Sequence, residues 1–135
     1  VASGNKFYCF VEDVAEGKHN LGSDTFKIFL TNTLPAATAT VIGDISEISY
    51  TNLSSRDATA TTSAQTSGAY KLVLPDVTLT ASGAVGPFQY VGIYNDTSDT
   101  DALIAWYDHG TSISMIDTET YKCDFNQVDG FITLI

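Results

Sequence analysis

The pairing of Asp108 with His109 is the first place to look for chemistry, because an acid next to an imidazole suits a triad or a metal pair. Adjacent strand residues point to opposite faces, however, so the two side chains diverge. His19 is the only other histidine, which excludes a three-histidine zinc site, and neither G-x-S-x-G nor H-E-x-x-H occurs. The loop Asn95–Asp101 (NDTSDTD) offers Asp96, Asp99 and Asp101 as oxygen ligands for a hard cation. It lacks the glycine and the terminal glutamate that a calcium-binding loop places at its sixth and twelfth positions, and it reads as a solvated hairpin loop. Paired carboxylates for glycoside hydrolysis would have to face each other across a cleft. Glu12, Glu16, Glu47 and Glu119 fall instead in helical or turn segments. Cys9 and Cys123 form no C-x-x-C pair and sit among aromatic neighbours, as buried free thiols do, although a disulfide between the chain ends stays open at this level. The expectation is a chain with no catalytic, cofactor-binding or metal site.

Aromatic residues carry more information. Tyr94, Trp106 and Tyr107 suit three readings: a sugar-stacking platform, the centre of a protein contact, or packing beneath the N-terminal helix. They lie on two strand-length runs, Phe88–Asn95 and Ala102–His109, that flank the acidic loop and are apolar at both odd and even positions. Val91 and Ile93 oppose Phe88, Tyr90 and Tyr94; Ile104 and Trp106 oppose Leu103, Ala105 and Tyr107. A strand covered on both faces lies inside a sandwich, beneath an added element, or against another protein. Phe88, Tyr90, Tyr94, Trp106 and Tyr107 are therefore candidate interface residues. Phe7, Phe10 and Val14 of the N-terminal segment form a second candidate set.

The rest of the chain must position these runs. Phe7, Phe10, Val11 and Val14 have helical spacing, with Asn5 as a candidate cap and Gly17 as a stop. Phe26, Ile28 and Leu30 share one face of a strand, and NTLPAA at 32–37 is a turn. Ile42, Ile45 and Ile48 suggest a short helical turn over 40–48. Residues 51–68 are polar and suit an edge strand or a loop. Leu72 and Leu74 are out of phase with Val77, Leu79 and Ala81, which predicts a bulge or bend at Pro75-Asp76. SGAVGP at 82–87 is a turn, Ser112–Ile116 a short strand, and Tyr121, Cys123 and Phe125 alternate cleanly before a closing strand, Phe131–Ile135. About eight strands at this spacing give an all-β fold, an antiparallel jelly-roll-like sandwich with a short N-terminal helix. One domain is expected over 1–135, with a helical segment at 1–20 and the sandwich over 21–135.

At 135 residues the chain can bury a core without staples. Sixteen acids against six bases give a charge of −10, which disfavours nucleic acid and anionic membranes as partners. No apolar run is long enough for a membrane helix, and the first residues contain no signal-peptide core. Two sequons, Asn52-Leu-Ser and Asn95-Asp-Thr, matter only for a secreted eukaryotic protein.

Four stretches, NKFYCFVEDVAEGKHNLGSDTFKIFLTNTLP (5–35), TVIGDISEI (40–48), LTASGAVGPFQYVGIYNDTSDTDALIAWYDHG (79–110) and DGFITLI (129–135), together resemble small tailed-bacteriophage virion proteins. The similarity is to capsid cement or decoration proteins with a jelly-roll fold and covers most of the chain outside 49–68. The resemblance implies a non-enzymatic, cofactor-free protein on the outer capsid surface of a virion, assembled in the host cytoplasm. Its partners would be the major capsid protein and further copies of itself, as a dimer or trimer. A carbohydrate-binding or receptor-binding module is the alternative reading of the same aromatic residues.

Overall fold

The computed structural model describes residues 1–135. Its elements in chain order are β1 (Asn5–Lys6), α1 (Tyr8–Ala15), β2 (Phe26–Thr31), β3 (Asp57–Ala58), β4 (Thr62–Thr66), β5 (Ala69–Val73), β6 (Val77–Thr80), β7 (Val85–Asn95), β8 (Leu103–Met115), β9 (Thr120–Cys123) and β10 (Ile132–Leu134). The fold is an all-β antiparallel sandwich with one short helix. Setting aside the two-residue β1 and β3, eight strands remain, the number that strand spacing suggests.

One layer is a five-stranded sheet in the order β1-β8-β7-β2-β3. The opposing layer combines β10-β5-β4 with the β6-β9 pair. Between them lies the main core, built from Phe26, Ile28 and Leu30 of β2, Val91 and Ile93 of β7, Leu72 of β5, Leu79 of β6, and Tyr121 and Cys123 of β9. Alternation dictates this directly, since each strand sends every second side chain inward. The phase change at Pro75-Asp76 marks where the chain leaves the β5 sheet for the β6 pair, and Leu72, Leu74, Leu79 and Ala81 all stay buried across it.

The N-terminal segment is stitched into the sandwich. Asn5 and Lys6 form β1 on the free edge of β8, so the helix starts two residues later than a cap at Asn5 predicts. Phe7 occupies its N-cap position without a side-chain cap. The helical face also differs from the expected one. Phe10 and Asp13 are buried, Val14 is half-buried, and Val11 is 55% exposed beside Tyr8 at 69%. Between 40 and 48 only Ile42–Asp44 is helical, as a single 3-10 turn, with Asp44 Oδ2 accepting from the N–H groups of Thr40 and Val41.

The outer face of the five-stranded sheet carries its own small core, in which Phe7, Phe29, Ala39, Tyr94 and Leu103 are buried, with Cys9, Ile42, Ile45 and Trp106 against them. The chain itself therefore covers the second face of β7 and β8, using the start of α1 and the 36–48 segment. Phe29 faces Gly92 across the β2–β7 ladder, and its ring lies over the glycine so closely that a Cβ there would overlap it. Only a residue with no side chain allows that approach.

Candidate contact surface

Reading along β8, the register with β7 slips between Ile93 and Tyr94: Ala105 pairs with Ile93 and Leu103 with Tyr94, leaving Ile104 as the extra residue. This bulge turns Ile104 toward the main core together with Ala105 and Tyr107. Trp106 consequently shares the outer face with Leu103, which corrects the simple alternation expected for this strand.

Of the eight candidate interface residues, Phe7, Phe10, Phe88, Tyr94 and Tyr107 are buried by the chain's own elements. Phe88 packs edge-on against Tyr121, and Tyr107 against Phe125 and Phe131, all in the main core. These five offer no contact surface in the folded domain, because their rings are already packed. Val14, Tyr90 and Trp106 stay half-buried. The structure brings the last two together: their ring centroids are 5.8 Å apart at 77°, an edge-to-face pair on the outer face of the sheet.

Polar groups frame that pair. Asn5 Nδ2 donates to the Trp106 carbonyl at 3.2 Å, and Gln89 Nε2 donates to Asp108 Oδ1 at 3.0 Å. Asp108 Oδ1 also accepts from the Gly110 N–H at 2.7 Å, so this acid is engaged away from His109. His109 instead meets Tyr121 through Nδ1 at 3.3 Å, and Tyr121 shares a 2.9 Å hydroxyl contact with Tyr107. Burial pushes the Tyr121 phenol up to about 12 and raises Tyr107 further still, so this chain of hydroxyls is neutral at physiological pH.

Cys9 and Cys123 are separate free thiols. Burial raises Cys9 to about 11, with the charge of Asp13 adding to the effect, and burial raises Cys123 to about 12. Both are therefore protonated and unreactive at neutral pH. The acidic loop borders a polar crevice of about 390 Å³ with Lys18, Asn20 and Asp24 on its other wall. No three His, Cys, Asp or Glu residues converge there or elsewhere closely enough to hold a metal ion.

Beneath that crevice is a polar cluster that the sequence patterns do not reveal. Asn95, fully buried, donates from Nδ2 to Asp24 Oδ2 at 2.7 Å and to His19 Nδ1 at 2.9 Å, while its Oδ1 accepts from the N–H groups of Thr97 and Ser98. As an acceptor at Nδ1, His19 carries its proton on Nε2, which is buried without a partner. Its ring lies 5.5 Å from that of Phe10. Asn95 is inaccessible to glycosylation in this fold, so the second sequon is structural. The first, at Asn52, is half-buried with its amide on the Ala84 carbonyl.

Desolvation holds the His19 pKa below its ordinary value, against the opposing charges of Asp13 and Asp24. A depressed folded-state pKa contributes stability that is complete above the unfolded value of about 6.5 and is lost as pH falls through the folded one. Unfolding free energy is expected to decline on acidification below about 6.5, with His19 supplying at most about 1.4 kcal/mol per pH unit. Urea titrations of the wild type and His19→Gln between neutral and mildly acid pH isolate that slope as their difference.

Set against known protein families, curated proteins and solved structures, the chain matches none.

Proposed function

We propose that the chain is a structural virion protein that binds the outside of a phage capsid and stabilises the shell by bridging major capsid subunits. The observation that carries the reading is the half-buried Tyr90–Trp106 aromatic pair on the outer sheet face, beside the small core that the chain's own helix and loop cover. Tyr and Trp flanked by hydrogen-bonding side chains have the make-up of a protein-contact centre with a polar rim. The resemblance to cement proteins and the charge of −10, which suits a surface kept away from packaged DNA, support the same assignment. Stabilisation follows from linkage, because a protein that binds the assembled shell but not free subunits shifts the equilibrium toward the shell. Repeated contacts on the lattice add avidity.

A carbohydrate- or receptor-binding module is the second reading. The 77° angle between the two rings weighs against it, since sugar stacking favours an open, flat ring face and here Tyr90 and Trp106 meet edge to face. Co-sedimentation with intact particles over a salt series separates the two readings. The wild type should pellet with the particles, and Trp106→Ala should weaken binding by about 30-fold, the effect of a contact-centre residue worth about 2 kcal/mol. Unchanged particle binding by a folded Trp106→Ala protein would remove the pair from the interface. Micromolar binding on an oligosaccharide array that disappears in the same variant would favour the sugar-binding reading.

A further inference from the structure

The sheet edges of this molecule are not protected equally. On the five-stranded sheet the outermost strands are β1 and β3, each two residues long and each carrying a charge, Lys6 or Asp57. The outer side of β6 is occupied by Ser54, whose N–H donates to the Thr80 carbonyl and whose Oγ accepts from the Thr80 N–H. β9 carries Lys122, and β10 is three residues long with Lys6 Nζ on the Thr133 carbonyl. Short length, charge and covering contacts are the devices that keep edges from pairing.

β4 is neither short nor charged, and the contacts beside it fall on a side chain, Ser63, which meets the Tyr70 hydroxyl and lies next to Gly22. The strand is five residues long, TSAQT, exposed at every position, and it pairs on one side only, with β5. The chain carries no charged residue from Ala58 to Tyr70. Ser67 and Gly68, at φ 52° and 84°, close the β4–β5 hairpin as a two-residue turn with both central residues left-handed, which makes Thr66 and Ala69 the hydrogen-bonded closing pair. Alternation then directs the backbone groups of Thr62, Ala64 and Thr66 toward β5 and those of Ser63 and Gln65 outward.

We propose that β4 is a self-association edge, on which a second copy of this chain pairs antiparallel about a two-fold axis at Ala64. In that register Ser63 of each copy faces Gln65 of the other, so every outward backbone group finds its complement, about four hydrogen bonds in all. Ala64 meets its own copy as the non-hydrogen-bonded pair, where strands approach to about 4.5 Å between Cα atoms. Its methyl group is small enough for that approach. Charge selects the same contact: two molecules of −10 repel, and β4 lets them meet along a neutral strand. The two three-stranded sheets would become one of six strands. This surface is separate from the Tyr90–Trp106 pair and does not rest on the capsid reading.

Sedimentation velocity on the whole chain tests it, using Ala64→Lys and Ala64→Glu. Position 64 is exposed, so at concentrations too low for dimerisation both variants should keep the wild-type melting temperature. The wild type should dimerise at concentrations on the order of tens of micromolar. Each variant alone should dimerise about threefold to fivefold more weakly, because like charges oppose each other at the axis. An equimolar mixture of the two should restore the dimer, a result that a folding defect cannot imitate. A wild type that stays monomeric, variants that dimerise normally, or a mixture that fails to recover would each overturn the proposal.

Discussion

Phe7→Ala should lower the unfolding free energy by about 3–5 kcal/mol, whereas Tyr8→Ala, one residue on, should change it by no more than about 0.5 kcal/mol. Phe7 is 1% exposed and its ring centroid lies 6.4 Å from that of Phe29, at the junction where β1 ends and α1 begins. Its removal leaves a cavity between the helix and the outer sheet face, and it unpins the cover over Tyr94 and Leu103. Backbone contacts hold the same place, with the Phe7 N–H on the Ile104 carbonyl and the Tyr8 N–H on Ala37, so the lid cannot easily collapse into the space. Tyr8 is 69% exposed and makes no comparable packing contact. Urea denaturation of both variants at equal slope measures the contrast. A near-silent Phe7→Ala would mean that the outer face does not depend on this lid, and the case for an external cover over β7 and β8 would return.

That contrast also shows how far residue patterns reach in this chain. The inward faces of strands were legible because alternation is local: Phe26, Ile28 and Leu30 in β2, and Tyr121 and Cys123 in β9, lie where their spacing puts them. The two-faced character of β7 and β8 was legible as well, but its cause was not. What covers the outer face comes from Phe7 and from residues 39–45, far away in sequence, and no local pattern records that pairing. The bulge at Ile104 is invisible for a related reason. Leu103, Ile104, Ala105 and Trp106 are all apolar, so a slip of one residue leaves the composition of both faces plausible. In α1, Val11 had the right spacing for the core, yet Asp13 is buried in its stead and meets Lys18 Nζ at 3.4 Å. A buried acid at a helix end breaks the apolar pattern from which the helical face is read.

Asn95 is the clearest case of chemistry hidden by a bland local sequence, and its replacement by Asp should be as damaging at pH 8 as the loss of Phe7, about 3–5 kcal/mol. The fold uses both ends of this amide at once. Its oxygen must accept, because the Thr97 and Ser98 N–H groups are only donors, and its nitrogen must donate, because Asp24 offers a carboxylate at 2.7 Å. A carboxylate of the same shape keeps the first role and reverses the second, placing a buried negative charge against Asp24 and against the lone pair of His19 Nδ1. Two changes relieve this on acidification: one of the two facing carboxyls takes up a proton and donates to the other, or His19 becomes an imidazolium and donates from Nδ1 to the new carboxylate. Asn95→Asp should therefore recover part of its lost stability as pH falls below about 6.5, where the wild type is losing the contribution of His19. Asn95→Ala provides the comparison. It should cost about 3 kcal/mol through the unpaired groups left behind, and it places no new acceptor opposite His19. Urea titrations of the three proteins at pH 8 and near pH 5.5 resolve the signs: recovery on acidification in Asn95→Asp alone supports a side-chain donor at this position facing Asp24 and His19, and parallel losses in all three would refute it.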